Sequence, residues 1–241
     1  MYNSSNRDMR RVTDELRVKK ASKSLLRIVE IKPVPNFEFI VQHPFTNSPI
    51  VQGKDNKMVN LLEPEAQKEW IQYMEEMIDS VPVKDILYHL LNTPWALTWL
   101  MMVREWLSKK DFAEFLAYSW TTQENPNMDA NVDLFTIIKW FKYADKKYLM
   151  DEEDYAYWES LPEEVTLYRG VGRGRKKYGL SWTDQEETAI WFKNRWATEE
   201  EKGQLLKVVV NKKHCLAYLN TRGEKEIVLD VNAVKKDIIE I

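Results

Sequence analysis

The spacing of apolar residues changes once along this chain, and that change divides what its parts can fold into. From Glu63 to about residue 160 the apolar side chains recur at helical spacing, beginning with Trp70, Met74, Met77 and Ile78 on one face. After Leu161-Pro162 they come in short runs bounded by glycine and polar stretches, which is the grammar of strands.

The helical part reads as follows. A second helix is expected over 83–91. Thr93-Pro94 supplies an N-cap and first-turn proline for a third, which runs to Leu107 and is almost wholly apolar, so it should be central. A fourth covers 111–120. A polar break, 121–130, holds Asn125-Pro126-Asn127. A fifth helix spans 132–148. The acidic run from Asp151 to Asp154 opens a short sixth, where the helix dipole favours negative charge. Residues 61–162 are therefore read as a helical module. Residues 1–60 form a basic arm (Arg7, Arg10, Arg11, Arg17, Lys19, Lys20) and an extended segment. A helix near 12–28 is compatible with the arm, which is otherwise expected to be solvated and partly mobile.

Residues 163–241 are expected to form an α+β domain. Its strands are placed at 165–168, 179–183, 204–210, 226–229 and 237–241. Asp184 is taken as the cap of a helix through Trp191 and Phe192 to Trp196, with those rings in the core or lining a pocket. Residues 211–223 are read as a loop.

Bulk properties narrow the function classes. The net charge of -3 gives no basic excess of the kind that nucleic acid requires of its main partner. The single cysteine, Cys215, excludes an intrachain disulfide and multi-cysteine metal sites, and it fits a reducing cytoplasm. His43, His89 and His214 lack ligand spacing, so no metal is expected. The longest apolar run, 94–103, is too short to cross a bilayer, and no membrane partner is expected.

Three short elements in the last third carry the candidate chemistry. A strand ends in Arg169-Gly170. A second carries Ser181 and Thr183 two apart, hence on one face. A third is entered by Glu224-Lys225-Glu226, with the two carboxylates again two apart. A guanidinium fork for phosphate, a glycine that admits a ligand to the backbone, hydroxyls and paired carboxylates together suit substitution at the anomeric carbon of a sugar phosphate.

This order of motifs resembles the arginine–serine–glutamate class of ADP-ribosyltransferases, which includes cholera-toxin-like and clostridial binary toxins. The stretch from Gly179 to Thr183, followed by Ala189-Ile190-Trp191-Phe192, is also similar to small transferase-like proteins of bacteria and their phages. The resemblance covers the last third of the chain. It implies an enzyme that moves ADP-ribose from NAD to a protein, with arginine as acceptor and nicotinamide released. Arg169 would bind the NAD phosphates, and Gly170 the nicotinamide amide. Ser181 would hold the catalytic glutamate, and Thr183 would support the nicotinamide pocket with Trp191 or Phe192 nearby. Glu226 would stabilise positive charge developing on the ribose. Glu224 would position or activate the acceptor, and Tyr218, on the loop before it, would stack on the acceptor guanidinium. The chain departs from the large toxins in its short Arg169–Ser181 spacing and in having threonine at the end of the middle motif. Two alternatives stand beside this reading: an NAD glycohydrolase, with water as acceptor, and an interaction protein that kept the fold without turnover. A nucleic-acid acceptor is the less favoured partner. The helical module would recognise a target, cover the cleft or dock onto an assembly.

Overall fold

The protein is described by a computed structural model covering residues 2–195, 197–198 and 201–241, with side chains from residue 11 onward apart from Thr13. The fold is α+β. Its contacts separate two compact units, Met1–Ser108 and Lys109–Ile241. The division falls inside the 61–162 span that periodicity alone treats as one module.

The first unit opens on α1 (Tyr2–Ile28), where a mobile arm was expected. The side chains of Arg7 and Arg10 lie outside the described residues. Val18, Ser22, Leu25 and Leu26 are buried, forming a stripe at helical spacing. Ser22 Oγ accepts from the indole N–H of Trp99 at 2.8 Å. Arg27 pairs with Glu75 at 2.6 Å and Lys23 with Asp79 at 2.8 Å. Two short hairpins follow, β1 (Pro33–Val34) with β2 (Phe37–Val41), and β3 (Ile50–Gln52) with β4 (Met58–Asn60). Next comes α2 (Pro64–Ser80), which buries Trp70, Met74 and Ile78 as its periodicity predicts. A short helix, α3 (Val83–Asp85), continues into a wider turn over Ile86–Leu90. Last is α4 (Ala96–Val103), the apolar helix expected to be central, with Leu97, Trp99, Leu100 and Val103 fully buried.

The second unit begins with four helices: α5 (Lys109–Thr122), α6 (Leu134–Tyr143), α7 (Lys146–Leu149) and α8 (Glu152–Ser160). The last three each start on an aspartate whose carboxylate accepts a first-turn N–H: Asp133 from Thr136, Asp145 from Lys147, and Asp151 from Asp154. The predicted fifth helix is thus cut at Asp145, because a cap there starts a new helix. Trp120 on α5 meets Phe141 on α6 edge to face at 5.5 Å.

The strands are β5 (Glu164–Val171), β6 (Ser181–Trp182), β7 (Gln204–Asn211), β8 (Cys215–Leu219), β9 (Glu226–Leu229) and, after the short helix Val231–Val234, β10 (Ile239–Glu240). They form two antiparallel three-stranded sheets, ordered β10-β7-β5 and β6-β9-β8. Tyr168 and Thr183 exchange backbone hydrogen bonds of 2.7 and 2.9 Å, tying β5 to the end of β6. The expected loop at 211–223 is a correction. It holds β8, whose five residues are all buried, so the strand shows no alternation by which a half-buried strand is recognised.

Helix α9 (Glu186–Asn194) lies on β5. Asp184 does not cap it. Gln185 takes that position without a side-chain bond, while Asp184 accepts from the Tyr157 hydroxyl. Trp196 lies outside the described residues. Among the described residues no helix is long and apolar enough to cross a membrane.

Candidate active site

The three strands that carry the motifs are neighbours within the second unit. β5 brings Arg169, the bridge from Tyr168 to Thr183 fixes β6 beside it, and β9 pairs with β6 so that Ser181 faces Val228 and Trp182 faces Ile227. At their junction lies a cleft of about 970 Å³, counting space open to solvent, lined among others by Trp120, Asn127, Arg169, Ser181, Glu224 and Glu226.

Glu226 starts β9, with its carboxylate in this cleft. Its Oε1 accepts from Trp120 Nε1–H at 2.7 Å, and Ser181 hydrogen-bonds the same carboxylate. Ser181 Oγ accepts from Asn127 Nδ2 at 2.8 Å, which leaves the hydroxyl hydrogen for Glu226. Burial pushes the Glu226 carboxyl above the ordinary carboxylate range. The Ser181 and Trp120 donors oppose that shift, neighbouring Glu224 adds to it, and Arg169 opposes it.

Arg169 is buried, and its guanidinium is not a free fork. Nη1 donates to Ser181 O at 2.6 Å, Nη2 to Lys176 O at 2.8 Å and Nε to Lys177 O at 3.2 Å. Three of its five N–H groups therefore knit β5, the 176–177 loop and β6 together. Burial pulls it down to about 10, opposed by Glu226, so it stays charged at neutral pH.

Gly170 lines the cleft, but its absent side chain has a second cause. A Cβ there would sit 1.9 Å from Ala189 O and 2.4 Å from Lys193 N of α9. Thr183 is buried in the lining, and its hydroxyl accepts from Gln185 N–H at 3.2 Å.

Glu224 lines the cleft from the turn before β9 rather than from a strand. Gly223 and Lys225 on either side have positive φ, 72° and 49°. Its carboxylate accepts from Arg222 Nη2 at 2.5 Å and Nε at 3.2 Å, while Arg222 Nη1 donates to Thr121 O at 2.7 Å.

Two aromatic expectations need correcting. Tyr218 is in β8, not on a loop. It is 5% exposed and stacks on Tyr157 at 4.2 Å between ring centres, so it meets no external guanidinium. Trp191 is 55% exposed and outside the cleft lining, with Arg195 over its ring at 5.1 Å. It sits edge-on to Phe192, and of the two only Phe192 reaches the cleft. Trp182 is core, as expected, and so is Cys215, whose thiol burial pushes up to about 12.

Sequence reasoning passed over Trp120, Asn127 and Arg222. Asn127 is buried, and besides holding Ser181 it accepts from Leu180 N–H at 2.5 Å. Its one trace in the sequence is Gly179, where a Cβ would come within 2.7 Å of Asn127 Oδ1 and 2.5 Å of Arg169 Nη2. Trp120 carries no local signal, being one tryptophan among ten.

Arg175 and Arg195 also line the cleft. Arg175 holds the Glu124 carboxylate at 2.7 Å. Among the described residues no group of histidine, cysteine and carboxylate side chains is placed to hold a metal ion. No known family model, characterised protein or solved structure matches this chain.

Proposed function

We propose that the second unit is a mono-ADP-ribosyltransferase, moving ADP-ribose from NAD to a protein arginine. The observation that carries this reading is the fixed carboxylate of Glu226, held by Trp120 and by the Asn127–Ser181 relay in a cleft that also holds Arg169. Loss of nicotinamide leaves positive charge on the ribose. A carboxylate already aimed there stabilises the transition state more than the ground state, with no reorganisation at the moment of reaction. The chemistry of the cleft lining suits a dinucleotide: Arg169, Arg175 and Arg195 complement phosphate charge, and Phe192 and Tyr168 offer rings. The adjacency of β5, β6 and β9, which brings the three motifs to one cleft, supports this reading. A cytoplasmic setting fits the single buried thiol.

One observation favours hydrolysis as a second reading. Glu224, the group that would receive an acceptor, is already paired with Arg222, which leaves water as the alternative acceptor. Incubation with NAD labelled in its adenylate half and a bacterial lysate separates the two, with Glu226→Gln in parallel. Labelled protein that disappears in the variant supports transfer, and nicotinamide release without labelled protein supports hydrolysis. A folded protein that neither binds nor consumes NAD overturns both.

A further inference from the structure

Arg222 presents to Glu224 the group that an external acceptor would present. Its Nη2 donates to the Glu224 carboxylate at 2.5 Å and its Nε to the same oxygen at 3.2 Å. A third bond, Nη1 to Thr121 O at 2.7 Å, anchors the guanidinium to the end of α5, one residue beyond Trp120. The backbone aids this placement. Gly223 and Lys225, both with positive φ, fold the turn back, and Asn220 closes it by accepting from Gly223 N–H through its carbonyl and from Lys225 N–H through its side chain. Arg222, Glu224 and Glu226 all line the one cleft. The Arg222 side chain is 38% exposed, so it is neither core nor freely solvated.

We propose that Arg222 is an acceptor in cis: the protein modifies its own Arg222 with ADP-ribose. The inference rests on the transferase reading above and adds to it a modification site. In the step, Nη2 of Arg222 forms the bond to the anomeric carbon of the nicotinamide ribose, and the bond from that carbon to nicotinamide breaks. Nicotinamide leaves as a neutral molecule, and the proton lost from Nη2 passes to Glu224. Glu226 stabilises the ribose as positive charge develops on it. A substituted Arg222 no longer makes the present pairing with Glu224, so self-modification changes the side of the cleft that receives other acceptors.

The test uses the full chain with NAD and no other protein, followed by peptide mapping by mass spectrometry, with the small guanidine agmatine as an independent acceptor. The expected result is one ADP-ribose per chain on Arg222, at a rate unchanged by tenfold dilution of the protein. Arg222→Lys, which keeps the charge beside Glu224, loses that mark. Labelled agmatine with an unmodified Arg222, or a mark placed elsewhere, overturns the inference and leaves the transferase reading standing. Arg222 modification that slows in proportion to dilution overturns the cis assignment. NAD consumed with neither agmatine nor protein labelled overturns it in favour of hydrolysis. No consumption of NAD by the folded protein removes both readings together. The deciding map is made on the unaltered chain, so it does not depend on the variant folding.

Discussion

Glu226 accepts from Trp120 and Ser181, and both donors favour its charged form against the burial that disfavours it. Removing one donor therefore has a signed consequence. Under the proposed function Glu226 works ionised, so the acid limb of kcat/KM lies above the ordinary carboxylate range. Trp120→Phe keeps most of the ring but deletes the N–H, so it should move that limb to still higher pH. The rate at neutral pH should fall about tenfold or more, the worth of one hydrogen bond to a charged group. A pH–rate profile of variant and parent checks both. A limb that stays in place while the rate falls would assign Trp120 to packing alone. At this scale the sequence displayed the chemistry-bearing residues but not their partners. The fork of Arg169 looks free in a linear reading, yet its N–H groups meet the carbonyls of Lys176, Lys177 and Ser181. Those contacts are made only once the loop has closed on the strand.

Among the elements, helix α9 is positioned by glycines. Gly170 on β5 and Gly203 before β7 both approach it so closely that a Cβ would meet backbone atoms, Ala189 O at 1.9 Å for Gly170 and Lys193 O at 2.1 Å for Gly203. Backbone cannot swing aside as a side chain can, so Gly170→Ala must displace the whole helix. We expect it to destabilise the second unit by about 2 kcal/mol or more, at the upper part of the range for overpacked sites. Phe192, which α9 brings to the cleft, should move with it. Urea unfolding followed by tryptophan fluorescence measures the first effect, and NAD affinity the second. A loss of affinity at unchanged stability would make Gly170 a ligand contact rather than a packing contact. The elements themselves were legible where one face is buried: α2 shows its stripe in the sequence. β8 was not, because a strand buried on both faces has no alternation, and α1 was read as solvated because its buried positions among the described residues, Val18, Ser22, Leu25 and Leu26, are sparse among its cations.

For the whole molecule, the division at Ser108 matters more than the change of grammar at Leu161-Pro162. Helices α5–α8 belong to the same unit as the strands. Trp120 and Asn127 reach the cleft from α5 and the turn after it, and Trp158 of α8 donates to Cys215 O on β8 at 2.8 Å. A fragment of residues 109–241 is therefore expected to fold by itself with one cooperative thermal transition. A fragment of residues 163–241 should not, since it lacks Trp120, Phe141 and Trp158 from the core and sheet cover. Circular dichroism melts of the two fragments decide this. A folded 163–241 would show that the helices are an accessory to a self-sufficient sheet domain.

By itself the sequence determined the α+β character, the positions of the motif strands, and the identity of the carboxylates, hydroxyl and arginine that meet in the cleft. These are properties of local period and residue type, written in neighbouring positions. Only the tertiary structure decided that Trp120 and Asn127 complete the site, that Tyr218 and Trp191 stand apart from it, and that Arg222 is the present partner of Glu224. Each of these depends on which distant segments come into contact, and hydrogen bonds spanning as many as 106 positions leave no periodicity to read.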